Sequence, residues 1–201
     1  MNAHPRTTRF SNAAKGAFIC AVLSLYLGAC AAAAVGTVVV ASVDIARDRR
    51  TVGTYVDDNA VEIKIRRELK RDGQISDGAH ISVTSMNGIV LLTGEVTQPE
   101  EGRRAVAIAR GYTEARQVIN QLGVAEASSF GSRTRDSWIT TKVKTALLRS
   151  PDVEAGRVKV VTERATVYML GMVTRQEADA AVEAARQLRG VERIVKVFEY
   201  L

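Results

Sequence analysis

The feature that most constrains this chain is that it repeats itself once. Asp58-Asn-Ala-Val61-Glu-Ile-Lys64-Ile65-Arg66-Arg-Glu-Leu69 lies over Asp136-Ser-Trp-Ile139-Thr-Thr-Lys142-Val143-Lys144-Thr-Ala-Leu147, apolar on apolar and basic on basic, at an offset of 78 residues. Ile81-Ser-Val83 lies over Val158-Lys-Val160, and Leu92-Thr-Gly94-Glu-Val96-Thr97 over Met169-Leu-Gly171-Met-Val173-Thr174, at an offset of 77. Gln117-Val118-Ile119-Asn120 lies over Arg193-Ile194-Val195-Lys196 at 76. The register slips only between blocks, where loops belong, so one supersecondary unit is built twice.

Periodicity gives the unit its elements. Val61, Ile65 and Leu69 recur at i, i+4 and i+8, the stripe of an amphipathic helix. Asp57-Asp58-Asn59 before it reads as an N-cap with acids for the first turn. Ile81 to Thr84 and Gly88 to Val96 are β-branched runs joined through Asn87-Gly88, a dipeptide that favours a tight hairpin. Gln98-Pro99-Glu100-Glu101 opens a second helix whose Ala105, Ile108, Ala109 and Tyr112 share a face, and Gln117 to Val124 reads as a third strand. The fold class is α+β: each copy runs helix, strand, strand, helix, strand, with two helices packed on a three-stranded mixed sheet.

Ahead of the repeat, Arg6, Arg9 and Lys15 precede the apolar run from Gly16 to Leu27, and the first 29 residues contain no acid. Cations followed by a short apolar core are the pattern of an export signal. The residues that end it, Leu27-Gly28-Ala29-Cys30, resemble the lipobox of bacterial lipoproteins. That resemblance implies cleavage after Ala29, a diacylglycerol thioether and an acylated amine on Cys30, and, with Ala31 and not Asp following, sorting to the outer membrane. Several acyl chains hold a protein on a bilayer, at about 0.8 kcal/mol per buried methylene, where one alone is marginal. Small and apolar residues continue to Ala41, so a retained anchor is the competing reading of the same segment. Loss of the first 29 residues lowers the net charge from +6 to +3, which removes charge as an argument for nucleic acid. Export removes it again by compartment.

The whole pattern resembles the BON domain (bacterial osmotic-shock and nodulation), and the chain is similar to the dual BON-domain outer-membrane lipoproteins. The residues that carry this are Asp57-Asp58, Thr93-Gly94-Glu95-Val96-Thr97, Leu170-Gly171-Met172-Val173-Thr174, Gly190-Val191 and the lipobox. One departure is Gly111-Tyr112-Thr113 in the first copy, where Gly-Val is usual. The expected organisation is a signal peptide over 1–29, a lipidated N-terminus and tether over 30–56, BON domain 1 over 57–125, a linker over 126–133, and BON domain 2 over 134–201.

Catalytic chemistry has little to work with. After Cys30 there is no further cysteine, and His80 is the one histidine beyond the signal, so neither a zinc site nor a Ser-His-Asp arrangement is expected. No phosphate-cradling glycine loop is present. The reading is a non-enzymatic protein without metal or cofactor.

The two copies differ where it matters. Off the core face, the first helix of copy one carries Ala60, Ile63, Lys64, Arg67, Lys70 and Arg71, whereas copy two carries Trp138, Thr141, Lys142, Thr145, Leu148 and Arg149, with Lys144 alongside. An indole and a leucine among cations are the composition of a membrane-interface helix. The same tryptophan could equally fill a contact between the two domains. The resemblance implies phospholipid binding, with the first helix of the second domain as the part that meets anionic lipid. On that basis Trp138, Thr141, Lys142, Lys144, Thr145, Leu148 and Arg149 are the expected contacts for a phosphatidylglycerol-like lipid, Cys30 holds the inner leaflet of the outer membrane, and the function is support of outer-membrane integrity. The alternative is an adaptor that docks envelope assembly or remodelling proteins through Trp138.

Overall fold

Thr51 accepts the Thr54 amide at 3.1 Å and so caps helix α1 (Val52–Arg71) in the computed structural model, which describes residues 50–201. The signal over 1–29, Cys30 and the tether as far as Arg49 lie outside the described residues. Helix α1 starts five residues before Asp57, so the capping role expected of Asp57-Asp58-Asn59 falls to Thr51. Asp58 is needed elsewhere. It is buried, and its carboxylate accepts the Ser85 hydroxyl at 2.6 Å, the Asn87 amide at 2.7 Å, the Gly88 amide at 2.8 Å and Arg50 at 2.6 Å. Although burial opposes ionisation, these donors hold its carboxyl below the usual range.

The turn that Asp58 ties joins β1 (His80–Met86) to β2 (Ile89–Val96). Asn87 and Gly88 have φ of 52° and 72°, the doubly left-handed geometry whose twist matches paired strands. Helix α2 (Pro99–Arg110) follows, and β3 (Gln117–Val124) returns parallel to β2. The sheet order is β1-β2-β3. At Gly94, φ is 111° and a Cβ would run into the His80 carbonyl. At Gly171 a Cβ would meet the Arg157 carbonyl. A side chain is therefore excluded at the same point of each copy, which gives the repeated glycine a packing reason.

The second unit repeats the topology with α3 (Phe130–Arg149), a short 3₁₀ turn, β4 (Lys159–Glu163), β5 (Thr166–Val173), α4 (Arg175–Arg186) and β6 (Arg193–Tyr200), in sheet order β4-β5-β6. Helix α3 is capped by Ser129 and takes in residues 130–133, so the connector between the two copies is shorter than the expected 126–133. Its Asp136 accepts the Arg164 and Ala165 amides at 2.9 Å each. Those two turn residues have φ of 46° and 57° without a glycine between them.

Strand alternation decides how the units meet. In β2, Val90 and Leu92 face their helices with Val61, Ile65 and Ala105, while Leu91 faces away. In β5, Val167 and Met169 join Ile139, Val143 and Leu147, while Tyr168 and Leu170 face away. The outward sets, Met86 and Leu91 with Tyr168, Leu170 and Val197, make a third core between the two sheets. Residues 50–201 thus form four layers, helices, sheet, sheet, helices. Polar ties fix the contact: Lys159 to Glu62 and to the Ser85 carbonyl, Arg164 to Glu95, and Arg116 and Asn87 to Glu199. Among the described residues no helix is long and apolar enough to cross a membrane.

Candidate functional site

Helix α3 buries one side and leaves the other open. Asp136, Ile139, Val143 and Leu147 are buried. Phe130 is 81% exposed, Trp138 63% and Leu148 71%, and the spacings of eight and ten residues put all three on one face about 27 Å long. Trp138 therefore stands free of the sheet–sheet core, in which it has no part.

The polar residues between these three are less polar than they look. Thr134, Thr141 and Thr145 donate their hydroxyls to the carbonyls of Phe130, Ser137 and Thr141, at 2.8–3.0 Å. A threonine bonded back to its own helix spends its donor there and turns its methyl outward. The face is accordingly a run of indole, methyl and leucine surfaces.

A groove of about 630 Å³ follows the flank of this face, between α3 and the end of α4. It brings together Trp138, Thr141, Lys142, Thr145 and Arg149 from the expected set, with Leu188 opposite. Lys144 and Leu148 are exposed on the helix but do not line it. The Lys142 ammonium is engaged by the Arg189 carbonyl, where it holds the loop before β6. Its counterpart Lys64 holds the matching loop of the first unit through Glu114, at 2.8 Å. Arg149 is the exposed cation of the groove, at the end of α3 where a positive charge suits the helix dipole.

Two contributors were not found from sequence. Phe130 lies in the expected linker, and the signal for it is phase: it sits about two helical turns before Trp138. Leu188 follows a helix of alanines and gave no periodic signal. It becomes part of the site only because α4 packs beside α3.

A BON-domain model matches residues 57–126 and again 135–201. Outer membrane lipoprotein DolP of Haemophilus influenzae is 38% identical over 178 residues, which is 89% of this chain and 92% of that protein. A 21 kDa hemolysin of Actinobacillus pleuropneumoniae is 37% identical over 154 residues, 77% of this chain and 79% of its own. Osmotically-inducible protein Y of Escherichia coli is 30% identical over 146 residues, 71% and 72%.

Proposed function

The chain belongs to the BON-domain family, as a dual BON-domain outer-membrane lipoprotein, and we propose that it supports envelope integrity, with its second domain binding anionic phospholipid through the exposed face of α3. The observation that carries this is the run Phe130, Trp138 and Leu148 on one open helix face, with threonine hydroxyls turned inward between them. Such a face enters the boundary between headgroups and acyl chains edge-on to its axis, while Arg149 and Lys144 stay at headgroup level, each cation worth about 1 kcal/mol near an anionic surface.

Acylated Cys30 supplies residence, and the helix supplies headgroup preference. A tethered site works at a high effective concentration, so a weak intrinsic affinity is enough. The proposed contacts are Trp138, Thr141, Lys142, Lys144, Thr145, Leu148 and Arg149, extended by Phe130. The family is non-enzymatic, and the role assigned here is recognition without catalysis or cofactor.

Trp138 is the chain's single tryptophan, so its fluorescence reads the site directly. A fragment over residues 50–201, mixed with vesicles of phosphatidylcholine alone or with phosphatidylglycerol, should show a blue shift only with the anionic lipid. Added salt should reverse the shift, and Trp138→Phe with Leu148→Ser should abolish co-sedimentation. Equal binding to neutral vesicles, or binding that survives both substitutions, refutes the reading and moves attention to a protein partner at the same face.

A further inference from the structure

On the flank of α3 away from the groove, a second cavity of about 340 Å³ opens where β1 of the first domain meets α3 and β4 of the second. His80, Arg133, Ser137, Thr140 and Glu163 are among its walls. Glu163 is 9% exposed, and among the described residues its carboxylate has no hydrogen-bond or ion-pair partner. In the first domain the equivalent position is Met86, part of the core between the sheets, so an acid is not what packing asks for here.

The neighbouring acids are already committed. Asp136 accepts the two turn amides at 2.9 Å, and Glu95 accepts Arg164 and the Ser128 amide. Burial, then the negative charges of Glu95 and Asp136, push the Glu163 carboxyl up to about 7, against the pull of Arg133 and Arg164. A largely buried carboxylate with two acids beside it and no direct ion pair is stabilised by the arrival of a positive charge.

We propose that this cavity binds a small organic cation, a primary ammonium, with Glu163 as its counter-ion and the Ser137 and Thr140 hydroxyls as further acceptors. Those hydroxyls donate to the Arg133 carbonyl at 3.0 Å and to Thr162 at 2.8 Å, which leaves their lone pairs free to accept. An ammonium presents three donors from one compact charge, which suits one carboxylate and two hydroxyls. A metal ion suits the site less well, because among the described residues no three His, Cys, Asp or Glu side chains are placed to hold one.

The test is calorimetric titration of the full lipidated chain, in a non-ionic detergent, with ethanolamine. Saturable binding is expected at pH 8, weaker by about tenfold at pH 6, because a proton competes for a carboxyl that titrates near 7. His80→Gln should keep that pH dependence, and Glu163→Gln should lose the binding. Tetramethylammonium, which has no N–H donor, should not bind. Glycerophosphoethanolamine carries the same ammonium: tighter binding of it points to a lipid headgroup as the source, and equal or weaker binding to a free amine. No saturable heat at pH 8, equal binding of tetramethylammonium, a pH-independent affinity, or an unchanged affinity in Glu163→Gln would each overturn the proposal. The first three need no variant, so a misfolded substitution cannot hide the answer.

Discussion

Asp58 and Asp136 hold the same place in their two domains, each a buried carboxylate that accepts both amides of its own hairpin turn. The tie runs from the first helix to the turn between the first two strands, so it sets how helix and sheet meet. It also explains why an acid opens each copy of the repeat, a position that reads from sequence as a helix cap.

Asp58→Ala and Asp136→Ala should each lower stability by about 2–4 kcal/mol, since each leaves two turn amides that are at least partly buried without their acceptor. Asp58→Ala should be the more severe, because it also strands the Ser85 hydroxyl. Urea denaturation of the single variants measures both.

Ala165 has φ of 57°, a region that disfavours any residue with a Cβ by about 1–2 kcal/mol. Ala165→Gly should raise stability by about 0.5–1 kcal/mol, after allowing for the greater freedom of glycine in the unfolded chain. A higher urea midpoint with unchanged slope is the expected result.

Leu170 is buried between the two sheets. Leu170→Ala should cost about 2–4 kcal/mol through the cavity it leaves, and should loosen the contact between the domains. Hydrogen exchange should then rise in the polar ties as well, at the Ser85 and Ser128 amides, which bond to Glu62 and Glu95.

Glu101 accepts the amides of Ser76 at 2.9 Å and Thr97 at 2.7 Å. Burial opposes ionisation, but bonds from Ser76 and Thr97 prevail and bring its carboxyl down to about 2. A depressed folded-state value means the stabilisation is present above the unfolded value and is lost as pH falls toward 2. Glu101→Gln should therefore destabilise the protein at pH 7 and flatten its loss of stability between pH 4.5 and 2, as followed by thermal melts across that window.

Phe130 is 81% exposed on the face proposed to meet lipid. Phe130→Ser should weaken partitioning into phosphatidylglycerol vesicles by about tenfold, the worth of one aromatic side chain partly withdrawn from water. Its thermal stability should stay within about 0.5 kcal/mol of the parent, because the side chain packs on nothing it would leave empty.

Spacing along the chain is enough to fix the duplicated unit, the order of its elements, the mixed sheet and the core stripes: Val61, Ile65 and Leu69 are all buried, and β3 spans Gln117–Val124 as expected. Comparing one copy with the other also singles out Trp138. What the off-face strand positions do depends on packing between the two sheets. Leu91, Tyr168 and Leu170 look like ordinary strand residues until the two sheets pack and a third core forms between them. The same packing turned Asp58 from a presumed cap into a tie on a distant turn, drew Lys142 onto the Arg189 carbonyl, and left Glu163 enclosed beside two other acids. Contacts made within a helix turn or between adjacent strands leave a period in the sequence; contacts made across domains leave none, because the chain between them fixes no spacing.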